Sequence, residues 1–463
     1  MPHTHSIYEN LKTVIILKHS GGFLMKRFNV LFIGFMLFSL FFGAGNLIFP
    51  PLLGSESGDN FGPAITGFLI TGVLLPFMAV MAVALEDNGL ISMGSRVHYI
   101  FGIVFAIIIY LSIGAFYGIP RASSVAYELG FNQIFNIDDS WGIFVFSLIF
   151  FTITYLISLN PKKIVNRIGQ YLTPLLLLVL AVLVIQSFLS FENVSSPASE
   201  KYASSPFFTG ILEGYFTMDA VAALAFGIVI INALKDKGAV SKNELVKGTL
   251  VSALVAGTGL VAVYFSLGWI GRVIPGETSF KNGAEILTYA SDILFVTSGN
   301  ILFGLIVILA CLTTCVGLIN ACSSFFNKIY PKLSYSNYVT IFTIIGLLVS
   351  NLGLNMILLV AVPLLNFIYP IAIVLIILSL LENVTRKSKT MFQLAVAVTA
   401  FYALYEALSS IGFELKFFTS LLDNTPFFEQ GLGWVLPAFL AALIGYGIDI
   451  LKNKPIDDLE ENQ

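Results

Sequence analysis

The sequence predicts an all-α integral membrane protein with twelve transmembrane helices, of which the first and the sixth are broken near their middle. One observation is the composition: of 463 residues, 57% are hydrophobic and only 11% are charged, and the mean hydropathy is +0.89. A soluble domain carries about 25% charged residues, so a soluble fold is excluded. The other two observations are the spacing of apolar segments and the distribution of basic residues between them.

Apolar segments of spanning length follow one another along the chain, separated by polar stretches or by glycine and proline. About 20 helical residues, each rising 1.5 Å, cross the hydrocarbon core of a bilayer. We place the segments at about 28–53, 62–85, 99–125, 141–159, 170–190, 207–233, 248–270, 299–327, 337–352, 355–381, 391–412 and 432–451.

Lysine and arginine residues are concentrated in alternate connections between these segments. Nineteen of the 24 basic residues lie before the first segment, after the last one, or in every second connection. Basic residues collect on the cytoplasmic side of membrane proteins. We therefore expect a multi-pass protein of the cell membrane with both termini in the cytoplasm, as an even number of spans requires.

The domain organisation follows from the same pattern. Residues 25–451 are expected to form a single membrane domain, and residues 452–463 a cytoplasmic tail. Residues 1–24 contain neither a signal-peptide core nor a small-residue cleavage site. They are expected to be a disordered extension or a mis-assigned start.

The first segment contains residues that interrupt a helix. Gly43 and Gly45 have a weak helical preference, and Asn46 competes with the backbone for hydrogen bonds. Backbone groups left unpaired in lipid cost several kcal/mol each, so such a break persists only where it faces protein, water or a ligand. The stretch is therefore a candidate binding site.

The sixth segment contains a second interruption, at Thr217-Met218-Asp219. An aspartate at the centre of a span costs about 2.5 to 3.5 kcal/mol on the insertion scale. Asp219 either caps the half-helix that follows it or binds a ligand directly. Breaks five spans apart predict two inverted halves, 28–190 and 207–381, with the transport site between them, and the last two spans, 391–451, outside the repeat.

The broken ends indicate which solutes the site takes. Amides at the start of a half-helix suit a carboxylate, which makes Gly43, Ala44, Gly45 and Asn46 candidates. Carbonyls at the end of a half-helix, from Ser39 to Gly43 and from Phe216 to Asp219, suit a cation or an ammonium group. The expected ligands are a zwitterion and a small cation.

Two further features lie at similar depth. Thr313 and Thr314 in the eighth segment either bond back to carbonyls of their own helix or complete an oxygen cage for a monovalent cation. In the third segment, Tyr117 either packs or lines the pocket. Arg121, one turn further, is expected to snorkel to the interface or to pair with Glu128 rather than to hold the substrate.

Enzymes and transition-metal sites are disfavoured. The four histidines, at positions 3, 5, 19 and 98, lie outside the apolar segments, and no HExxH motif or carboxylate cluster appears. The three cysteines, Cys311, Cys315 and Cys322, share one segment without a nearby histidine, which favours apolar packing over metal binding or a disulfide framework. A channel is also disfavoured, because no filter-like repeat is evident.

Several of these motifs, taken together, closely resemble the bacterial branched-chain amino acid:cation symporter family. The similarity covers the chain from Met25 to about Leu451. The matching stretches, in order, are Phe35-Met36-Leu37-Phe38 followed by Phe41-Phe42-Gly43-Ala44-Gly45-Asn46-Leu47-Ile48-Phe49-Pro50-Pro51, then Gly118-Ile119-Pro120-Arg121, Thr217-Met218-Asp219-Ala220 and Ala310-Cys311-Leu312-Thr313-Thr314.

This resemblance implies a symporter that imports leucine, isoleucine and valine across the bacterial cytoplasmic membrane with sodium or protons, by alternating access. It also implies the leucine-transporter-like 5+5 inverted-repeat architecture of the amino acid–polyamine–organocation superfamily. The expected substrate contacts are Gly43, Ala44, Gly45, Asn46, Tyr117, Thr217, Met218 and Asp219. The expected sodium ligands are the Ser39, Phe42 and Ala310 carbonyls and the Thr313 and Thr314 hydroxyls.

The expected partners are therefore the amino acid, the coupling ion and membrane lipid, with no cofactor and no nucleic acid. The alternative is a cation-coupled carrier for another small neutral amino acid on the same scaffold. The residues leave open the choice of ion, the order of preference among the three substrates, and a role for Asn46 at a second ion.

Overall fold

The computed structural model describes residues 29–86, 88–135, 137, 140–160, 173–192, 196–274, 280, 282–382, 384–385, 388–413 and 416–452. The expected extension at 1–24 and the tail after residue 452 lie outside these ranges. Within them, all regular structure is helical.

The helices are numbered here in chain order. They are α1 Asn29–Phe41, α2 Ala44–Ser57, α3 Phe61–Leu69, α4 Leu75–Leu85, α5 Leu90–Ser95, α6 Tyr99–Leu111, α7 Gly118–Ala126, α8 Asn132–Phe135, α9 Ser140–Ser158, α10 Thr173–Ser190, α11 Glu200–Ala203, α12 Pro206–Tyr215, α13 Asp219–Asp236, α14 Lys242–Val273, α15 Gly283–Ile329, α16 Tyr335–Ser350, α17 Leu354–Leu380, α18 Lys389–Ser410, α19 Lys416–Leu422 and α20 Val435–Leu451.

The helices have the length and composition of membrane spans. Among the described residues, eight are long and apolar enough to cross a bilayer, or nine if the bent pair α12 and α13 counts as one. Three further apolar helices, α1, α16 and α20, are shorter. The all-α membrane class is confirmed, whereas the count of twelve spans stays a prediction.

Two helix interruptions coincide with the predicted ones. Helix α1 ends at Phe41 and α2 begins at Ala44, so the chain leaves the helix at Phe42 and Gly43. Helices α12 and α13 are bent by 43° about the residues between Tyr215 and Asp219. Met218 adopts a left-handed conformation there, with φ 68°. A non-glycine residue in that region stores about 1–2 kcal/mol of strain, so the surrounding structure holds this bend in place.

The third predicted span is also irregular. Helix α6 passes into a π turn at Ser112–Phe116, where Gly114 has non-helical backbone angles (φ −86°, ψ −112°). Helix α7 then begins at Gly118 and carries Arg121. The irregular turn therefore sets the direction in which Tyr117 and Arg121 approach the two breaks.

Helix α15 begins at Gly283, well before the expected position 299. The Asn282 side chain accepts a hydrogen bond from the Glu285 amide at 3.1 Å and caps the helix. Polar residues such as Thr288, Ser291 and Asp292 follow in the added turns. A search of the sequence for apolar segments misses these first turns, because they extend the membrane helix with polar residues.

Helix α2 packs closely against two neighbouring helices at glycine residues. A Cβ atom on Gly54 would lie 1.8 Å from the Gly268 carbonyl oxygen, and one on Gly271 would lie 1.9 Å from the Pro51 carbonyl oxygen. A Cβ on Gly283 would lie 1.8 Å from the Ile48 carbonyl oxygen. Small residues let membrane helices approach this closely, so α2 is fixed against α14 and α15.

A compact ion-pair cluster lies at the end of the bundle where α4 and α17 finish. Arg96 contacts Glu86 at 3.4 Å and Glu382 at 2.5 Å. Burial raises the pKa of Glu86 to about 7; Arg96 opposes this rise and Glu382 adds to it. Arg96 therefore compensates two partly buried carboxylates at this end.

A second cluster lies at the opposite end of the bundle, where α2 finishes and α12 begins. Lys201 contacts Glu213 at 2.7 Å and Glu56 at 3.2 Å. Burial lowers the pKa of Lys201, but the two carboxylates more than offset this and leave the pKa above its ordinary value. The segment also packs on the end of α2, because the Ser199 amide donates to the Glu56 carbonyl at 2.8 Å.

The Arg96 cluster predicts a pH-dependent contribution to stability. The pKa of Glu86 is raised on folding, so the protein loses stability as pH rises through 4.5 to 7 and the buried carboxyl group ionises. Arg96 limits that loss. We expect Arg96→Gln to cost about 1 to 3 kcal/mol at pH 8, and less at pH 5.5 where Glu86 is protonated.

Thermal unfolding of purified wild type, Arg96→Gln and Arg96→Lys at both pH values measures this effect. Arg96→Lys is the control, because it keeps the positive charge. An equal loss of stability at pH 5.5 and pH 8 would contradict the role assigned to Arg96.

Candidate functional site

The two helix interruptions face one another across a small central cavity. The cavity has a volume of about 30 Å³, which is room for on the order of one or two water molecules. Its polar lining residues come from four helices or their ends: Asn46, Arg121, Thr217, Asp219 and Thr314. Five apolar side chains complete most of the wall: Leu40, Phe41, Ile113, Phe226 and Leu318.

Asn46 ties the first interruption to the second. Its Oδ1 accepts a hydrogen bond from the Gly43 amide at 2.9 Å, and its Nδ2 donates to Asp219 Oδ2 at 3.0 Å. Tyr264 of α14 also donates to that carboxylate oxygen and accepts from Asn46. All three side chains are buried, so this triad joins α2, α13 and α14 at the middle of the bundle.

Asp219 is a bridging residue rather than a helix cap. Helix α13 begins at Asp219, and the residue whose side chain accepts from its first amide is Thr217, at 3.4 Å. The Asp219 carboxylate instead points to Asn46 and Tyr264. Its carboxyl group lies at the positive end of α13, which favours the ionised form. Of the two alternatives for Asp219, capping alone is therefore wrong.

Thr314 of α15 reaches the carbonyl end of α1. Its Oγ1 lies 3.3 Å from the Phe42 carbonyl oxygen and 3.5 Å from the Ser39 carbonyl oxygen. Both distances exceed those of ordinary O–H···O hydrogen bonds, which cluster near 2.7–2.8 Å. Three oxygen atoms thus converge without a short bond between them. A Cβ on Gly43 would lie 2.8 Å from Thr314 Oγ1, so glycine keeps this approach open.

Thr313 differs from its neighbour. Its Oγ1 donates to the Ala310 carbonyl at 2.8 Å within its own helix. This is the back-bonding that threonine commonly makes in membrane helices. The structure therefore brings Thr314, Ser39 and Phe42 together, and it pairs Thr313 with Ala310 beside them.

The side chain of Arg121, which belongs to α7, reaches the second interruption. Its Nη1 donates to the Phe216 carbonyl and to the Tyr117 hydroxyl, both at 2.8 Å, and its Nη2 donates to the Thr217 carbonyl at 3.1 Å. The side chain is only 6% exposed. The expectation that Arg121 snorkels or pairs with Glu128 is wrong, because the free carbonyls at the end of α12 attract the guanidinium inwards.

Tyr117 contacts Arg121 rather than the cavity. It is buried, its ring lies 4.6 Å from the Arg121 guanidinium carbon, and it is absent from the cavity lining. Phe116, next to it, is 51% exposed and faces away. Direct contact between Tyr117 and the substrate stays a prediction.

The residues expected to donate hydrogen bonds to the substrate carboxylate differ in their surroundings. The Gly43 amide is occupied by Asn46, while Ala44 lines the cavity. Gly45 faces the second interruption, since a Cβ there would lie 2.9 Å from Arg121 Nη2 and 3.0 Å from the Thr217 carbonyl oxygen. Thr217 and Met218 line the cavity, and their contact with the substrate stays a prediction.

A large vestibule opens at the end of the bundle that carries Lys235 and Lys237. It measures about 720 Å³ and is lined by residues of α1, α6, α13 and α15, among them Met36, Tyr110, Ile228 and Phe325. The lysines at its mouth are exposed to solvent. The vestibule shares no lining residue with the central cavity. About one helical turn separates them, and it includes Phe41 and Phe226, whose ring centroids lie 6.1 Å apart.

The opposite side of the cavity is covered in two layers. The rings of Phe49 and Phe216 stack at 5.8 Å next to the interruptions. Beyond them lies the Lys201 cluster with Glu56 and Glu213. The Phe49–Phe216 pair and the Lys201 cluster therefore lie on one side of the cavity, and the Phe41–Phe226 contact lies on the vestibule side.

Solved structures share this architecture. Mhp1, a nucleobase-cation-symport-1 family transporter crystallised closed with bromovinylhydantoin bound, superposes with a TM-score of 0.58 at 17% identity, covering 92% of this chain and 93% of that one. A variant of the manganese transporter of Eremococcus coleocola gives a TM-score of 0.56 at 15% identity, covering 90% and 92%. At such low identity the likeness establishes the fold alone.

Sequence relatives establish the family. The chain is 42% identical over 425 residues to the branched-chain amino acid permease BrnQ of Corynebacterium glutamicum, covering 92% of this chain and 96% of that one. It is 38% identical over 421 residues to the permease BraB of Bacillus subtilis, covering 90% and 95%. The family model described as branched-chain amino acid transport protein matches residues 26–452. The chain therefore belongs to the branched-chain amino acid transport protein family, and it is a multi-pass membrane transporter rather than an enzyme.

Proposed function

We propose that the protein is a secondary active symporter that imports leucine, isoleucine and valine with sodium across the bacterial cytoplasmic membrane. The observation that carries the proposal is the site itself: two helix interruptions meet at one cavity that combines a charged polar end with an apolar wall. Relatives at about 40% identity are branched-chain amino acid permeases by name.

The polar end suits the zwitterionic part of an amino acid. Arg121 and the first turn of α2 supply positive potential, while Asp219 supplies a carboxylate within the same cavity. The apolar wall of Leu40, Ile113 and Phe226 suits a branched aliphatic side chain. A volume of about 30 Å³ is too small for a whole amino acid, so binding requires these walls to move apart.

The Thr314 oxygen cluster is the proposed sodium site. The Ser39 and Phe42 carbonyls and the Thr314 hydroxyl supply oxygen ligands of the kind that hard cations take. The Ala310 carbonyl and the Thr313 hydroxyl complete the site when their mutual hydrogen bond opens. Residues Phe42 and Gly43 are adjacent, so substrate and ion share one unwound turn. No additional cofactor is proposed.

The proposed topology has twelve spans in a single domain of residues 25–451. Helices up to α10 form one repeat and those from α12 to α17 form its inverted partner, with α18 and α20 peripheral. The basic vestibule end faces the cytoplasm in this orientation, and both termini lie there. In this orientation the Phe49–Phe216 pair and the Lys201 cluster lie on the outer side of the site, and the Phe41–Phe226 contact lies on its cytoplasmic side.

Competition for uptake tests the substrate. In proteoliposomes, unlabelled leucine and valine are both expected to inhibit uptake of labelled isoleucine. Valine is expected to need a concentration roughly 10- to 200-fold higher than leucine, because one missing methylene costs about 1–3 kcal/mol in an apolar pocket. Alanine and proline are expected to inhibit weakly. Inhibition by alanine or proline without inhibition by leucine and valine would favour a carrier for another small neutral amino acid.

Substitution of Thr314 tests the ion site. Thr314→Ala is expected to raise the sodium concentration for half-maximal uptake about tenfold, since a contact with a charge is worth about 1.5–3 kcal/mol. Binding of leucine at saturating sodium is expected to change much less. Thr314→Ser keeps the hydroxyl and serves as the matched control.

The same uptake assay identifies the coupling ion. Wild-type uptake is driven by an imposed sodium gradient and compared with uptake driven by an imposed pH gradient. Uptake that follows only the pH gradient, or an unchanged sodium requirement in Thr314→Ala, would remove the basis for the sodium cage.

Lys201 is expected to hold the outer side shut. Its side chain is 45% exposed, so each ion pair contributes only about 0.2–1 kcal/mol. We expect Lys201→Gln to increase the reactivity of a cysteine introduced at Ala222, which lines the cavity, towards an impermeant thiol reagent by about two- to fivefold. Lys201→Arg keeps the charge and is expected to react like wild type. Unchanged reactivity in Lys201→Gln would contradict this role.

A further inference from the structure

Arg121 is a buried cation that has no carboxylate at ion-pair distance among the described residues. Its contacts are two backbone carbonyls and the Tyr117 hydroxyl, all of them neutral. The ion pairs found among the described residues join other side chains, and none includes Arg121. A charge at the centre of a membrane domain is costly and marks a candidate functional site.

Two N–H groups of the Arg121 guanidinium are not used by these contacts. Arginine carries five N–H groups, and three of them are used by Tyr117, Phe216 and Thr217. Nε is buried and has no hydrogen-bond partner in the part of the chain that the structure describes. Nε and the remaining Nη2 hydrogen form the edge that pairs with a carboxylate through two parallel bonds.

The Nη2 end of that edge adjoins the positive end of α2. A Cβ on Gly45 would lie 2.9 Å from Nη2, so the guanidinium rests against the first turn of this helix. Two sources of positive potential, the helix N-terminus and Arg121, thus converge on one cavity. Asp219 lines the same cavity, but its Oδ2 is held by Asn46 and Tyr264 rather than by Arg121.

We propose that Arg121 is the subsite for the α-carboxylate of the substrate, bound through Nε and Nη2 beside Gly45. This inference rests on the proposed function and assigns one charge within that site. The contacts to Phe216, Thr217 and Tyr117 hold the guanidinium in place before substrate arrives, and the carboxylate neutralises it. Gly45 is required because any side chain there would displace Nη2.

Comparison of leucine with leucinamide tests the subsite, since leucinamide keeps the side chain and the amino group but lacks the carboxylate charge. Both are measured as competitors of labelled isoleucine binding to purified full-length protein. Wild type is expected to bind leucine at least about 100-fold more tightly than leucinamide, and Arg121→Gln is expected to reduce that preference to below about tenfold, since a charge-assisted bidentate contact is worth several kcal/mol.

Matched variants separate binding from folding. Arg121→Lys keeps the charge without the planar edge and is expected to retain an intermediate preference. Gly45→Ala is expected to weaken leucine binding more than leucinamide binding. Arg272→Gln, a substitution of an arginine at the outer end of α14, is expected to keep the wild-type ratio. If Arg121→Gln does not fold, Arg121→Lys and Gly45→Ala carry the test.

Two outcomes overturn the inference. One is a wild-type protein that binds leucine and leucinamide equally, and the other is a preference that persists unchanged in Arg121→Gln, Arg121→Lys and Gly45→Ala. Wild type that binds neither leucine nor isoleucine would instead contradict the proposed function. Thermal unfolding of each variant shows whether a loss of binding reflects a loss of the fold.

Discussion

Backbone groups that leave a helix inside a membrane need new hydrogen-bond partners. At the centre of this protein, polar side chains supply them. The Gly43 amide is satisfied by Asn46, and the Phe216 and Thr217 carbonyls are satisfied by Arg121. The Ser39 and Phe42 carbonyls have only long contacts to Thr314. Because each unpaired group costs several kcal/mol in lipid, the interruptions persist only where polar side chains or solutes meet them.

In the proposed function, the way in which these backbone groups are satisfied determines where the substrate and the coupling ion bind. Arg121 supplies a built-in positive charge at the end of α12, so the carbonyls of that interruption are already occupied and do not attract the coupling ion. The carbonyl end of α1 lacks such a side chain, which leaves it as the place for a mobile cation. Asn46 and Asp219 then connect both interruptions, so a displacement of one half-helix is transmitted to the other.

Much of this arrangement is legible in the sequence. Glycines flanking Ala44, the buried Asp219 and the vicinal threonines all carry local signals, because each conflicts with an uninterrupted apolar helix. Arg121 also stands out as a charge in an apolar segment, but the direction of its side chain carries no local signal, and neither does the role of Tyr264. Tyr264 is an isolated tyrosine in an apolar segment, and Arg121 turns inwards only because α7 packs beside the open carbonyls of α12. Partners that lie far apart in the chain are fixed by tertiary packing. The start of α15 was also missed, since a polar extension of a membrane helix has no apolar run.

In the proposed function, the stretch from Ser39 to Gly45, which contains the first interruption at Phe42 and Gly43, serves substrate and ion together. Binding linkage tests it most directly: the dissociation constant of leucine is measured in purified wild type with and without sodium, and that of sodium with and without leucine. The account predicts that each solute tightens the other by the same factor, within the roughly 5- to 150-fold range typical of coupled sites. Leucine affinity that is independent of sodium would contradict it.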